Sequence, residues 1–526
     1  MNQNEVICTL ADIPHSYAAR KPEDIALQFE TRSTTWQQWD HQCNRVAHAL
    51  REMGLVPTDR VGYLGKNSDQ LFHVFFGAAK AGMVMVPINW RLTATEIAFI
   101  LEDAGCQILF LGEDFLPLVE ELTQACPQLR EVLCVDGAAQ DLAGLDDWLR
   151  GRPETEPLHS CAPEDVVLQL YTSGTTGQPK GAQLTNRNLL AAASLAATEP
   201  LGRWREDEVS VLPLPLFHAG GLVYGLNGPL TGGLTRIVRE PSPALIIAAM
   251  RQQPTPVTRL GLVPAVIQTL LGYPEFNAAD FRGLRTLTYG GSPISPAVLR
   301  KATEAFGPIL VQLFGMTETC TMGTALLPSD HDPSRPERLS SCGRPLPGFE
   351  IRIAGAEGGE QAAPGQSGEI LIRGDAVMAG YWHRPEATEQ ALQDGWYHSG
   401  DVGYFDADGY LHIQDRLKDM IVSGGENVYP AEVERVLADH PAVADVAVFG
   451  VPDATWGEAV KAAVVLRADR SVSGEELITF ARSRLAGYKC PKTIDWMTAL
   501  PRNATGKLLK RVLRQPYWES QTRNVS

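Results

Sequence analysis

The sequence predicts an α/β protein. A large N-terminal domain of doubly wound sheets carries a small β-rich unit, and a hinge joins it to a small α+β C-terminal domain. Three observations lead there. Helical and strand patterns alternate from about residue 7 to 149 and again from 209 to 314. Short strand patterns with Gly- and Pro-rich connections follow from 340 to 372. A charged, weakly hydrophobic run then precedes a further mixed segment of roughly a hundred residues, a size that suits an independent unit. At 526 residues the chain exceeds one ordinary core. The domains are read as 1–415 and 416–526.

In chain order, residues 36–53 read as an amphipathic helix stopped by Gly54, and 60–64 as a strand. Residues 69–81 read as a helix ending at Gly82, and 84–87 as a strand. Patterns at 94–104, 108–111, 116–125 and 131–135 continue the alternation. The Pro- and Glu-rich stretch 151–163 reads as a surface connection. Strands are expected at 166–170 and 182–184, then a helix over 189–197 capped by Asn186 or Asn188. Further strands are expected at 209–212, 284–289, 309–313, 340–353 and 368–372. The C-terminal segment reads as a helix at 431–438 and strands at 443–448 and 459–466.

Composition excludes several function classes. Hydrophobic residues are 44% and charged residues 21%, ordinary for a globular protein. A net charge of −16 disfavours nucleic acid or an anionic membrane as a general partner. Nine scattered cysteines with no CxxC pair fit reduced thiols in the cytoplasm better than disulfides or a zinc site. The N-terminus lacks the basic and apolar regions of a signal peptide. The apolar neighbourhood 74–88 is too short to span a bilayer.

The most informative stretch is Tyr171-Thr172-Ser173-Gly174-Thr175-Thr176-Gly177-Gln178-Pro179-Lys180-Gly181. It lies between two predicted strands. Gly174 and Gly177 permit backbone angles at which successive N–H groups converge on an anion. The hydroxyls of Thr172, Ser173, Thr175 and Thr176 add donors, and Lys180 adds a mobile cation. The composition suits a polyphosphate. It is not a Walker A loop, which needs Gly-Lys-Ser/Thr contiguous and a helix directly after.

The stretch resembles the phosphate loop of the adenylate-forming superfamily, which contains acyl- and aryl-CoA synthetases, amino-acid adenylation domains and luciferases. Six motifs occur in that superfamily's order, and the resemblance spans nearly the whole chain. It implies an acyl-CoA synthetase using ATP, Mg²⁺ and coenzyme A on a carboxylic acid that is a free small molecule.

What the resemblance implies for each motif is specific. Lys180 and the loop hold the β- and γ-phosphates. Gly290, Gly291 and Ser292 border the adenine. In Phe314-Gly315-Met316-Thr317-Glu318, an aromatic face takes adenine, a hydroxyl meets the α-phosphate and Glu318 holds Mg²⁺ with Thr172. Magnesium needs only one or two protein oxygens. The superfamily usually has Tyr at the position of Phe314; the ring, and so the stacking, is retained. Asp401 accepts from the ribose diol, which its two oxygens match. Arg416 contacts ribose or phosphate, and Lys418 is the pivot, although Asp415 stands where Gly is commoner. Lys507 reaches between the acyl carboxylate and the α-phosphate. Ser423, Gly424, Gly425 and Trp456 line the pantetheine path.

The acyl pocket is assigned by resemblance to His218, Gly220, Gly221, Tyr224, Gly290 and Met316. By residue type alone, a His after an apolar strand is more often packed than functional. His218-Ala219-Gly220-Gly221 supplies no carboxylate for a substrate ammonium, so an acid without an α-amino group is expected. Small and apolar pocket residues favour an uncharged tail. Medium- or long-chain fatty acids lead, then aryl or phenylpropenoid acids. A luciferase-like oxygenase and an amino-acid adenylating enzyme are the alternatives. Too few residues follow Lys507 for a carrier domain, so a free thiol acceptor is expected, and the oligomer is left as monomer or homodimer.

Overall fold

The computed structural model describes residues 7–139, 142–158, 161–172, 179–355, 361–416, 419–423, 426–453, 455–502 and 508–518. The chain divides into two compact units, residues 1–351 with 372–397 and residues 352–371 with 398–526. Residues 415 and 416 both lie in the second.

The first unit contains two large α/β sheets. The nine-stranded sheet runs Arg344–Pro345, Thr324–Leu326, Leu310–Phe314, Thr286–Gly290, Arg259–Leu262, Val209–Leu212, Leu234–Ile237, Ile25–Phe29, Arg32–Thr35. Its strands from Leu310–Phe314 across to Ile25–Phe29 are mutually parallel. The seven-stranded sheet runs Gly380–Tyr381, Lys180–Thr185, Val166–Thr172, Val84–Ile88, Arg60–Leu64, Cys106–Leu111, Glu131–Cys134. Its last five strands are parallel. Helices follow the parallel strands, as crossover connections require.

The predicted elements recur with small shifts at their ends. The helix expected at 36–53 is Trp36–Glu52, begun by a capping box in which Thr35 and Gln38 satisfy each other's backbone N–H groups. Every residue of helix Asp69–Lys80 is buried. Trp36, Trp39, Phe72 and Phe76 form a chain of ring contacts at 4.8–6.3 Å. Each such ring contributes roughly 1.5–3 kcal/mol through burial. Lys80 ends that helix with its ammonium buried, 2.6 Å from Asp40 and 2.6 Å from Glu156 of the 151–163 connection. Burial disfavours the charge, but the two carboxylates outweigh it and raise the Lys80 pKa.

Three expectations need correction. Helix Asn186–Ser194 is capped by Thr185, not by Asn186 or Asn188; Asn188 is the reciprocal partner at the third helical position. The 116–125 helix is a 3-10 turn, Glu113–Leu118, followed by Val119–Ala125, because Pro117 interrupts the regular pattern. Within 340–353 only Arg344–Pro345 and Phe349–Ile353 are strands.

In the second unit, a five-stranded sheet runs Glu426–Val428, Ile421–Ser423, Gly457–Leu466, Val443–Asp453, with Thr493–Trp496 parallel beside Gly457–Leu466. Valine-rich strands and helices Pro430–Ala438 and Gly474–Arg482 bury one continuous core. No helix among the described residues is long and apolar enough to cross a membrane.

Candidate active site

In the nine-stranded sheet, parallel strands Val209–Leu212, Arg259–Leu262, Thr286–Gly290 and Leu310–Phe314 are neighbours. Their C-terminal ends therefore share one edge, where open α/β sheets bind ligands. His218 and Gly220, Gly290 to Ser292, and Phe314 to Glu318 all follow those ends. Gly291 takes a φ of +80° and is exposed together with Ser292.

Gly315 is set by packing. A Cβ there would lie 2.3 Å from the Thr321 carbonyl carbon. The chain folds back at that point through Cys320 and Thr321, both at positive φ, to pair Thr324–Leu326 with Leu310–Phe314. A β-branched residue at positive φ is an outlier held by its surroundings. The 3-10 turn Thr317–Thr319 sits inside this fold-back, and Thr319 Oγ1 donates to the Met322 carbonyl at 2.6 Å. Glu318 is thus presented on a rigid turn, 8% exposed.

The phosphate-loop candidate is a hairpin connection in the seven-stranded sheet. Val166–Thr172 and Lys180–Thr185 pair antiparallel, with Thr172 opposite Lys180. Ser173, Gly174, Thr175, Thr176 and Gly177 lie outside the described residues. Strand Gly380–Tyr381 pairs along the other side of Lys180–Thr185. The Tyr381 ring lies 5.3 Å from Lys180 Nζ. Its hydroxyl donates to Glu318 Oε1 at 2.8 Å, and Met378 N donates to the Glu318 carbonyl at 2.8 Å. Burial first, and then the Glu318 charge, push the Tyr381 phenol far above its ordinary value. Tyr381 therefore remains a donor. It brings Glu318, from one sheet, together with Lys180, from the other.

Glu318 Oε2 has no protein partner among the described residues, so the turn offers one hard carboxylate oxygen. With the half-buried Thr172 hydroxyl, that donor set fits Mg²⁺, which keeps most of its waters.

The acyl-pocket candidates divide. His218 is exposed and caps helix Ala219–Thr231, Nδ1 accepting from Gly220 N at 3.3 Å. Gly220 is open, since a Cβ there would meet only His218 Nδ1 at 3.7 Å. Gly221 faces backbone instead: a Cβ would stand 2.1 Å from the Pro215 carbonyl oxygen. Gly290 packs likewise, 2.4 Å from the Leu313 carbonyl oxygen by the same construction. Met316 is half-buried ahead of the Glu318 turn. Tyr224 lies one helical turn beyond Gly220 on the same face. Its ring covers Gly261, where a Cβ would strike three ring carbons at 2.9–3.0 Å, and it meets Trp204 edge-on at 5.6 Å. Behind Trp204 stands Arg259, salt-bridged to Glu208. The Tyr224 hydroxyl is buried without a hydrogen-bond partner among the described residues.

In the second unit, Asp401 pairs across strands with Arg416. Asp415 accepts from Ala431 N at 2.6 Å, closing the start of helix Pro430–Ala438. Ser423 is buried at the end of Ile421–Ser423, opposite Glu426. Trp456 is 49% exposed and is no core residue; Lys492 Nζ stands 5.8 Å from its ring. Lys418, Gly424, Gly425 and Lys507 lie outside the described residues.

Tyr381 was missed by sequence reasoning. Its local signal is the aromatic pair in Gly380-Tyr381-Trp382, in a stretch for which the sequence predicts no element or role. Among the described residues, the titratable cluster His15, Asp40 and Glu156 has metal-like spacing, but the Lys80 ammonium fills it.

Parallel sheets meeting at a carboxylate and a lysine-bearing hairpin define the class, an enzyme that activates a carboxylate on a nucleotide. The chain belongs to the AMP-binding enzyme family: that family matches residues 15–382, and the AMP-binding enzyme C-terminal domain matches residues 432–507. It is 40% identical to a fatty acid–[acyl-carrier-protein] ligase of Streptomyces coeruleorubidus, covering 98% of each chain. It is 39% identical to a feruloyl-CoA synthase of an Amycolatopsis species, covering 97% of this chain and 99% of that one. Among solved structures, a Mycobacterium tuberculosis fatty acyl CoA synthetase superposes with a TM-score of 0.76 at 34% identity, over 97% of this chain and 99% of that one. The o-succinylbenzoate CoA synthetase of Bacillus subtilis, in complex with its acyl-adenylate, superposes with a TM-score of 0.83 at 30% identity, over 97% and 98%. The chain is an AMP-forming acid–thiol ligase.

Proposed function

We propose that the chain activates a carboxylic acid with an uncharged, compact tail and passes the acyl group to coenzyme A. The observation that carries this reading is Tyr381 bridging Glu318 and Lys180 at the junction of the two sheets. It gathers a metal-binding carboxylate and a phosphate-binding cation in one place.

In the first step a carboxylate oxygen attacks the α-phosphorus of ATP, and the bond to the bridging oxygen of pyrophosphate breaks. Both reactants are anions, so the protein's work is neutralisation and in-line placement. Lys180 and the hairpin hold the β- and γ-phosphates, and Lys507 meets the charge developing between carboxylate and α-phosphate. Glu318 and Thr172 would hold Mg²⁺, which when bound neutralises phosphate charge. Phe314 stacks on adenine beside Gly291 and Ser292, while Asp401 takes the ribose diol and Arg416 contacts ribose or phosphate. In the second step the thiol sulfur attacks the acyl carbon and AMP leaves. The small domain, from residue 416, turns about Lys418, so that Ser423, Gly424, Gly425 and Trp456 replace Lys507 beside the adenylate.

Tyr224 favours a compact acid over a long chain. Residues 259 and 261 share one face of strand Arg259–Leu262, and Val263, still extended just past the strand's end, lies against Gly291 at the proposed mouth. The Tyr224 ring closes the slot at Gly261, about 7 Å further in at roughly 3.3 Å per strand residue. An aromatic ring or a medium-length chain fits that depth. The similarity to a ligase named for an acyl carrier protein makes a carrier thiol the second acceptor to weigh. All nine cysteines are free thiols, which suits a reducing, cytoplasmic setting.

The test is AMP release across acids from acetate to octadecanoate and across benzoates and cinnamates. Each acid is paired in turn with coenzyme A and with a phosphopantetheinylated carrier protein. Turnover of compact acids with coenzyme A is expected; turnover with the carrier protein alone would reassign the acceptor.

A further inference from the structure

Asp103 occupies an unfavourable place. It is the penultimate residue of helix Ala94–Ala104, where a carboxylate faces the negative end of the helix dipole. Among the described residues it touches none that is assigned to a ligand. Yet both carboxylate oxygens and its backbone carbonyl are engaged, by the two chain segments that build the nucleotide site.

The first segment is the strand entering the phosphate hairpin. Tyr171 donates its hydroxyl to Asp103 Oδ2 at 2.7 Å, and Tyr171 directly precedes Thr172. Gln169 Nε2 donates to the same hydroxyl at 3.1 Å, and Gln169 Oε1 accepts from Arg60 Nε at 3.4 Å. Burial and then the bond to Asp103 hold the Tyr171 proton in place, far above the ordinary phenol range.

The second segment carries Tyr381. Arg384 NH2 lies 2.6 Å from Asp103 Oδ1, and Trp382 Nε1 donates to the Asp103 carbonyl at 3.0 Å. Trp382 N donates to the Gly181 carbonyl at 2.8 Å, and the Arg60 guanidinium stacks on the Trp382 ring at 3.3 Å. Residues 381–384 are thereby tied both to Asp103 and to the exit strand of the hairpin.

We infer that Asp103 is a positioning residue for nucleotide activation: one carboxylate sets the hairpin's entry strand and the Tyr381–Glu318 pair relative to each other. The inference rests on reading the hairpin as the phosphate site. Its consequence is a split between half-reactions. Pyrophosphate is held only during adenylation, so a loosened hairpin penalises that step and spares thioester formation from supplied acyl-adenylate. A merely structural role would lower both together.

The variants are Asp103→Asn, which keeps the shape but offers one face the wrong hydrogen-bonding sense, and Tyr171→Phe, which removes one hydroxyl and keeps the ring. Each should raise the KM for ATP about tenfold and leave the rate from supplied acyl-adenylate within about twofold. The double variant should be little worse than the worse single, because the two act through one contact. Equal loss of both half-reactions, or an unchanged KM for ATP in both variants, overturns the inference while wild-type exchange leaves the functional reading standing. Absence of acid-dependent exchange in the wild type overturns both.

Discussion

Tyr381, on a strand of the seven-stranded sheet, is joined by a 2.8 Å hydrogen bond to Glu318, on the 3-10 turn that follows a strand of the nine-stranded sheet, and the same phenol ring flanks Lys180. A buried carboxylate with one oxygen fixed by a phenol would be a preorganised ligand for a metal at its other oxygen. Removing the phenolic hydroxyl isolates the two functions. Tyr381→Phe keeps the ring beside Lys180 and removes the donor. A hydrogen bond to a charged group is worth about 1.5–3 kcal/mol, so adenylation should fall roughly ten- to a hundredfold. Pyrophosphate exchange titrated against Mg²⁺ should show a higher metal requirement; a wild-type titration curve would contradict this.

The Tyr224 ring covers Gly261, and in the proposed acyl pocket that contact sets the depth. Tyr224→Ala removes the ring and one unpartnered buried hydroxyl. The preferred acid should lengthen by several methylenes, and compact acids should bind less well. Competition between hexanoate and dodecanoate measures this; an unchanged ratio would place the floor of the pocket elsewhere.

Lys507→Ala should abolish adenylate formation and spare thioester formation from supplied acyl-adenylate. Loss of both to the same degree would remove the two-state role assigned to the C-terminal lysine.

Asp69 begins a fully buried helix and receives two hydrogen bonds from Arg32, at 3.0 and 2.5 Å. Burial pushes its pKa up, but Arg32 and neighbouring donors outweigh burial and hold it below the ordinary value. A depressed carboxylate stabilises the fold above its unfolded pKa and loses that contribution as pH falls through the folded value. The wild type should therefore lose stability below about pH 4, the ordinary aspartate value. Arg32→Ala should lower the Tm at neutral pH and flatten that acid limb. Parallel Tm–pH curves for the two proteins would refute the assignment.

Much of this arrangement was legible in the sequence, for identifiable reasons. The hairpin strands were legible because a β-branched, apolar run leads into a loop of Gly and Thr and a short apolar stretch follows it. Glu318 was legible because its turn follows an apolar strand in motif order. Tyr381 and Asp103 were not, because their partners are distant in sequence: Glu318 lies 63 residues from Tyr381, and Trp382 lies 279 from Asp103. No periodicity encodes such pairs. The cap at Thr185 was missed because Thr185 also ends a strand, so the asparagines beyond it took the assignment. Gly221 read as pocket lining, although its missing side chain serves a backbone crossing at Pro215.

The most direct measurement of the central claim is acid-dependent ATP–pyrophosphate exchange by the purified wild type without any thiol, followed by thiol addition. Exchange that requires both acid and Mg²⁺, with AMP as the nucleotide product once thiol is added, is the predicted result. No exchange with any acid, or ADP as the product, would contradict it.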